Sequence, residues 1–336
     1  MSPKNPRTYA ESGVDILAEE RAIKALKKHF KAQKKALGTP ITPDGAYAGL
    51  LDMGDYVFGI TTDGVGSKVL VATEVGNWRT IGIDCIAMNV NDLYAMGLEP
   101  IAFVDYLAME SIEPSIADQI GQGLAKGAEI AKISIIGGET ASLPEIVRGF
   151  DLAGTCVGIA SKDELITGQG IEKADAIVGI PSSGVHSNGL TLARKLLAKY
   201  SLHKRYGSMK RTLGEELLVP TRIYSEILNI NRGCEVHGLA HITGGGLLNL
   251  SRLTTLGFDL SDPLPPQEIF KMIQAEGVEA EEMYKTFNMG MGFAIIAPEG
   301  EVKAISSMSN GARRVGSVSG RGIRVQLEKR QVEIAR

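Results

Sequence analysis

Cysteine is scarce in this 336-residue chain, and the three present, Cys85, Cys156 and Cys234, stand far apart. That spacing excludes the paired ligands of a zinc site and the density of a secreted disulfide scaffold, and it implies a reducing compartment. An excess of charge of one sign is also lacking: 36 basic against 39 acidic residues leave a formal charge of −3. No whole-chain field therefore marks a nucleic-acid backbone or an anionic membrane as partner. Nowhere do about eighteen apolar residues run together, as a membrane-spanning helix requires. The opening Met1-Ser2-Pro3-Lys4-Asn5-Pro6 has no apolar core of a signal peptide. A soluble, cytoplasmic protein is the expectation.

Familiar catalytic signatures are missing as well. There is no Gly-x-Ser-x-Gly elbow before a helix, no cysteine beside a histidine, no His-Glu-x-x-His pair and no complete dinucleotide fingerprint. What is present is an ordinary globular balance, 44% apolar and 22% charged, which excludes disorder and coiled coil. The length exceeds one comfortable core and points to two domains. Gly168-Gln169-Gly170 marks the clearest shift in composition, so the boundary is placed near residue 165.

The most informative stretch is Gly59 to Lys68, where a strand-like run ends in Asp63, a glycine-broken turn and Lys68. Glycines let backbone N–H groups turn toward an anion, and a neighbouring carboxylate can hold Mg2+ against phosphate oxygens. The spacing is not that of a Walker loop. By itself the stretch is also an ordinary strand-to-helix turn. A helix from about Glu19 to Lys35 precedes it, with Ile23, Leu26 and Phe30 on its apolar side and a solvated basic face. The Gly38 to Gly49 link is a loop whose small residues suit either a flat ligand or mere connection.

After the opening strand, Asp84 to Gly97 reads as a helix. At roughly 100° per residue, Asn91 nearly eclipses Asp84 and Asp92 lies about 80° further round, so these groups can flank one ligand. Asn89, Asn91 and Asp92 sit among apolar neighbours, and a buried carboxylate needs a partner or a metal. A second strand, Ile133 to Ile136, runs into Gly137-Gly138-Glu139-Thr140-Ala141, another apolar run ending in glycines and a carboxylate. In the second half, Ser187 or Asn188 is a natural N-cap beside His186, and three glycines, Gly244 to Gly246, precede an apolar helix. Carboxylates at strand ends, a lysine and two glycine-rich helix entrances suit phosphoryl transfer.

These segments occur in an order that resembles one family. Tyr9 to Ile16, Thr62 to Lys68, Gly82-Ile83-Asp84 with Asn91-Asp92-Leu93, Gly137 to Ala141, Ser182 to Gly189, Pro220 to Tyr224, His241 to Gly246 and Tyr284 to Asn288 together look like the phosphoribosylformylglycinamidine cyclo-ligases, the aminoimidazole ribonucleotide synthetases of purine biosynthesis. The resemblance implies a two-domain PurM-like fold of α+β and α/β character. Residues 1–165 would be an N-terminal ATP-binding and dimerisation domain whose mixed sheet pairs into a barrel across a homodimer. Residues 166–336 would be a C-terminal α/β domain. It also implies an ATP- and Mg2+-dependent ring closure through phosphorylation of a formyl oxygen.

Carried over by residue, the resemblance makes Asp63, Asp84, Asp92 and Glu139 the metal or ATP-phosphate carboxylates and Lys68 a phosphate contact. Gly45 and Gly49 bound the nucleotide loop, with Gly64, Asn91 and Gly138 also on the nucleotide side. Ser187, Asn188, His241, Thr243, Gly244 and Gly245 line the substrate side, and His186 is the candidate proton carrier. The chain departs from the family at Asp44 to Gly49, which lacks a phenylalanine-bearing double glycine, and at Ser142-Leu143-Pro144-Glu145.

Overall fold

The computed structural model describes residues 6–29, 38–41, 43, 45–328 and 330–334. Helix α1 (Ile16–Lys27) starts at Asp15, whose carboxylate accepts the Ala18 N–H at 3.0 Å. Among the described residues the expected apolar side of this helix is uncovered: no residue of α1 is buried, and Ile23 and Leu26 are 49% and 60% exposed. Phe30 to Lys35, Thr42 and Asp44 lie outside the described residues.

Six strands build the first sheet: β1 (Thr39–Ile41), β2 (Gly49–Asp52), β3 (Tyr56–Gly64), β4 (Glu99–Met109), β5 (Ser134–Ser142) and β6 (Phe150–Ser161). Their spatial order is β1-β2-β3-β6-β4-β5. Only β4 and β5 run parallel, joined by a crossover. The helices between them are α2 (Lys68–Val75), α3 (Ile81–Tyr94) and α4 (Pro114–Ala131). Strand β1 arises within the stretch expected to be loop and β2 begins at its last residue, while Gly45 to Ala48 stays irregular between them. Strand β5 continues through the Gly137 to Ala141 segment instead of ending at it.

Alternation sets the two faces of this sheet. Val57, Gly59 and Thr61 of β3 and Leu152, Gly154 and Cys156 of β6 are buried on the side that carries α3. Sandwiched between the sheet and α4, α3 is buried almost all round. Gly82 and Gly123 allow this packing, because a Cβ on either would collide with the other helix's backbone or the turn before it. Among the described residues the opposite face is uncovered: Tyr56, Ile60, Val104 and Tyr106 are all exposed.

The second sheet has the order β13-β12-β9-β11-β7-β10-β8. Its strands are β7 (Ala176–Pro181), β8 (Gly238–His241), β9 (Gly257–Leu260), β10 (Met291–Ala297), β11 (Arg313–Ser319), β12 (Ile323–Gln326) and β13 (Gln331–Ile334). Helices α5 (Leu190–Leu197), α6 (Leu213–Leu217), α7 (Glu226–Gly233), α8 (Glu268–Ala275), α9 (Ala280–Thr286) and α10 (Val302–Met308) accompany it. Every residue of β10 is buried, which explains its unbroken apolar sequence. The apolar helix expected after the three glycines is a 3₁₀ helix, Gly246–Arg252. Both halves combine a mixed sheet with helices, as the α+β and α/β reading requires.

Candidate active site

The strand end at Asp63 meets α3 from the buried side of the first sheet. Asn89 Nδ2 donates to the Asp63 carbonyl at 3.2 Å and to the Cys85 carbonyl at 2.9 Å, fixing strand to helix. The Asp63 carboxylate accepts its neighbour Gly64 N–H at 2.7 Å. Burial first, and then the charge of Asp92, push the Asp63 carboxyl up to about 6, with Gly64 N–H and His241 opposing. Two acidic groups therefore share one partly buried region.

One turn further along the same helix surface, Asp92 faces the second half of the chain. Its Oδ1 lies 2.9 Å from Nδ1 of the wholly buried His241 at the end of β8. The hydrogen-bond network assigns the tautomer. Asn91 Oδ1 accepts the Tyr224 N–H at 3.0 Å, so the Asn91 atom facing His241 Nε2 at 3.4 Å is its donor nitrogen. That nitrogen also donates to the Arg222 carbonyl at 2.8 Å. Nε2 thus keeps its lone pair and Nδ1–H donates to Asp92. Asn91, expected on the nucleotide side, is instead a buried tie between the halves.

Asp84 and Lys68 require a larger correction. Both are fully buried, and Lys68 Nζ lies 2.9 Å and 2.8 Å from the two Asp84 oxygens. The ammonium also donates to the Val219 carbonyl at 2.7 Å. Asp84 Oδ1 accepts the Thr221 N–H and hydroxyl, both at 2.7 Å, and the Ser187 hydroxyl at 3.1 Å. Apart from Lys68, Oδ2 meets no donor. Burial lowers the Lys68 pKa while Asp84 opposes the shift. Neither side chain faces open space, so the expected metal ligand and phosphate contact are a buried ion pair locking the two halves together.

Glu139 is also set apart. The register places it opposite Tyr106 on edge strand β5, exposed and on the face away from α3, whereas Asp63, Gly154, Asp105 and Gly138 share the other face. Within one chain it does not join Asp63 and Asp92. Among the described residues, no group of three or more His, Cys, Asp or Glu side chains is arranged to hold a metal. Two carboxylates with mutually unfavourable charge nevertheless fit Mg2+, which takes few protein ligands and completes its shell with water and phosphate.

On the far side of the site, His186 occupies a left-handed turn, φ 65°, and is buried. Its Nε2 accepts the Ser183 N–H at 3.1 Å, and Nδ1 has no partner. Burial holds its pKa well below the usual histidine range, so the ring is neutral and shielded. The position does not offer the proton-carrier role expected of it. The N-cap of α5 is Gly189 at φ 74°, not Ser187 or Asn188. Asn188 Oδ1 stands beside Gly244, and Thr243 and Gly244 are partly open while Gly245 is buried.

A cavity of about 840 Å³ lies elsewhere, behind the Gly45 loop, and touches Gly45 alone among the expected site residues. Sequence reasoning missed Thr221, Asn249 and Arg252, whose partners are remote in the chain; the clustered Pro220-Thr221-Arg222 was the available signal for the first.

The family described as AIR synthase related protein, N-terminal domain, matches residues 45–160, and its C-terminal counterpart matches residues 172–328. A phosphoribosylformylglycinamidine cyclo-ligase of Methanosarcina barkeri is 58% identical over 97% of this chain and 98% of its own length. Another, from Thermococcus kodakarensis, is 50% identical over 95% of this chain and 98% of its own length. Among solved structures, AaThiL complexed with AMPPCP and TMP superposes with a TM-score of 0.67 at 19% identity, covering 94% of this chain and 96% of that one. That likeness speaks to the fold alone. With both family domains matched in order and such identity across nearly its whole length, the chain belongs to the phosphoribosylformylglycinamidine cyclo-ligase family.

Proposed function

We propose that the protein closes the imidazole ring of formylglycinamidine ribonucleotide, with ATP, to give 5-aminoimidazole ribonucleotide, ADP and phosphate. The family's curated relatives carry the name of this reaction. The observation that carries the reading is the meeting of Asp63 and Asp92 with His241 and the glycine turns Gly184–Gly189 and Gly244–Gly246 where the two halves face each other. ATP phosphorylates the formyl oxygen, the substrate's own nitrogen attacks that carbon, and phosphate leaves. No protein nucleophile is needed, in keeping with the absence of a triad.

Asp63 and Asp92 would hold Mg2+, which when bound neutralises phosphate charge. Gly45, Gly49, Gly64 and Gly138 remain the nucleotide-side candidates, and Ser187, Asn188, Thr243, Gly244 and Gly245 the substrate-side ones; the wholly buried His241 serves them through Asp92. AaThiL in complex with AMPPCP supports a nucleotide site on this fold. His241 orients Asp92 through its Nδ1–H, and the buried surroundings of the pair limit water. Residues 1–165 serve as the ATP-binding and dimerisation domain and 166–336 as the α/β domain. The bare apolar face of the first sheet supports a homodimer, which sedimentation would read as twice the chain mass; a monomer at micromolar concentration would refute it. No helix among the described residues is long and apolar enough to cross a membrane, and the working compartment is taken to be the cytoplasm.

The test is direct. Purified protein with ATP, Mg2+ and formylglycinamidine ribonucleotide yields 5-aminoimidazole ribonucleotide, ADP and phosphate in equal amounts. ADP release that ignores the ribonucleotide would sink the reading.

A further inference from the structure

Arg252 and Asn249 have no part in the chemistry above, yet their hydrogen bonds run from one candidate ligand loop to the other. On the nucleotide side, Arg252 donates from Nε to the Gly45 carbonyl at 3.2 Å and from Nη2 to the Ala46 carbonyl at 2.9 Å. Its guanidinium lies 3.9 Å from the centroid of the Tyr47 ring, a stacking that lysine cannot reproduce. The Tyr47 hydroxyl donates to the Asn249 carbonyl at 3.4 Å. On the substrate side, Asn249 Nδ2 donates to the carbonyls of Gly244 and Gly246 at 3.2 Å and 2.9 Å. Its Oδ1 accepts from Arg252 Nη1 at 3.4 Å. Direct contacts therefore lead from Gly45 through Arg252 and Asn249 to Gly244.

Two features single this path out. Gly45 has φ 73°, and a Cβ there would stand inside the Arg252 carbonyl, so the loop can approach only with glycine at this position. Behind the guanidinium opens the cavity of about 840 Å³, lined in part by Gly45, Leu248, Arg252 and Thr255. Tyr47 anchors the loop in the core, and on the cavity side the arginine fork holds the Gly45 and Ala46 carbonyls. At the other end, Gly245 and Gly246 both hold positive φ, and the Asn249 amide bonds fix the carbonyls on either side of Gly245.

We infer that Arg252 and Asn249 are positioning residues that link the Gly45–Tyr47 loop to the Gly244–Gly246 turn, so that nucleotide and ribonucleotide each bind more tightly when the other is present. This rests on the proposed cyclo-ligase reading, which sets a different ligand against each loop. A ligand that fixes one loop spares the other ligand part of the cost of ordering its own, and linkage makes the effect reciprocal.

Isothermal titration calorimetry on the full chain tests it, with AMPPCP and Mg2+ titrated in the absence and presence of saturating formylglycinamidine ribonucleotide. In the natural protein the ribonucleotide lowers the Kd for AMPPCP about 10-fold, inside the usual span of coupling between sites. Arg252→Met brings that ratio to within about twofold of one while ribonucleotide affinity alone changes less than about threefold. Arg252→Lys retains part of the ratio. Asn249→Asp keeps the acceptor for Arg252 but loses both donors, and its ratio also falls toward one; thermal melting of each variant checks the fold. A ratio near one in the natural protein, or an unchanged ratio in Arg252→Met, overturns the inference. If the natural protein neither binds nor converts the ribonucleotide, the parent reading fails; turnover with an unchanged ratio in Arg252→Met removes the link alone.

Discussion

Two aspartates on one helix, Asp84 and Asp92, met opposite fates. Asp84 is fully buried, matched by the Lys68 ammonium and by Thr221 and Ser187. Asp92 keeps 21% of its side chain exposed and has one close partner, His241, with Asp63 adding repulsion. A carboxylate saturated by protein donors has nothing left for a ligand; one left short of donors beside a second carboxylate is the one that the proposed function assigns to Mg2+. The contrast shows that a buried charge where the two halves meet and a charge at the proposed reaction site can carry the same sequence signature.

Breaking the buried pair has the largest expected effect. Lys68→Met strands the Asp84 charge and lowers stability by about 3–5 kcal/mol in denaturant titration. Adding Asp84→Asn recovers part of that loss, because no uncompensated charge then remains. At the other carboxylate site the effect moves from stability to rate: Asp63→Asn lowers kcat by about 10²–10³ while the melting temperature holds or rises. If activity survives and the fold melts earlier, Asp63 is a turn residue only.

The pH response sharpens the same contrast. The Asp63 carboxyl is raised to about 6, so the folded state holds its proton more tightly than the unfolded chain does. The stability that Asp63 contributes therefore falls as pH rises from about 4 through about 6 and levels off above, while Mg2+-dependent turnover rises across that window. Asp63→Asn flattens the stability slope, which melting curves between pH 4 and 7 would measure. The smallest change is Ser187→Ala, which takes one donor of four from Asp84 Oδ1 and costs about 1 kcal/mol. A loss as large as that of Lys68→Met would mean that the ion pair is not what holds the junction.

Much of this was legible in the residues. The run that ends at Asp63 is a strand, and the helix expected over Asp84 to Gly97 lies three residues upstream at each end. Helical spacing brought Asp84, Asn91 and Asp92 into view together, but it could not say which would meet solvent. That depended on Thr221 and Val219 arriving from the other half. Glu139 looked like a second Asp63 because both follow apolar strands near glycine. Its strand runs on past the glycines, and alternation turns its side chain to the opposite face. Ile23 and Leu26 do fall on α1, but neither is buried among the described residues.

By itself the sequence determined the family, a two-part fold with a mixed N-terminal sheet and an α/β second half, and the carboxylate and glycine segments from which the candidate site is built. Local periodicity and turn chemistry act over a few residues, and that is enough to specify such parts. Only the tertiary structure decided that Lys68 neutralises Asp84, that His241 belongs to Asp92, that His186 is sealed from water, and that Arg252 reaches back to Gly45. Each of those outcomes joins residues far apart in the chain, and burial sets the strength of the charges among them.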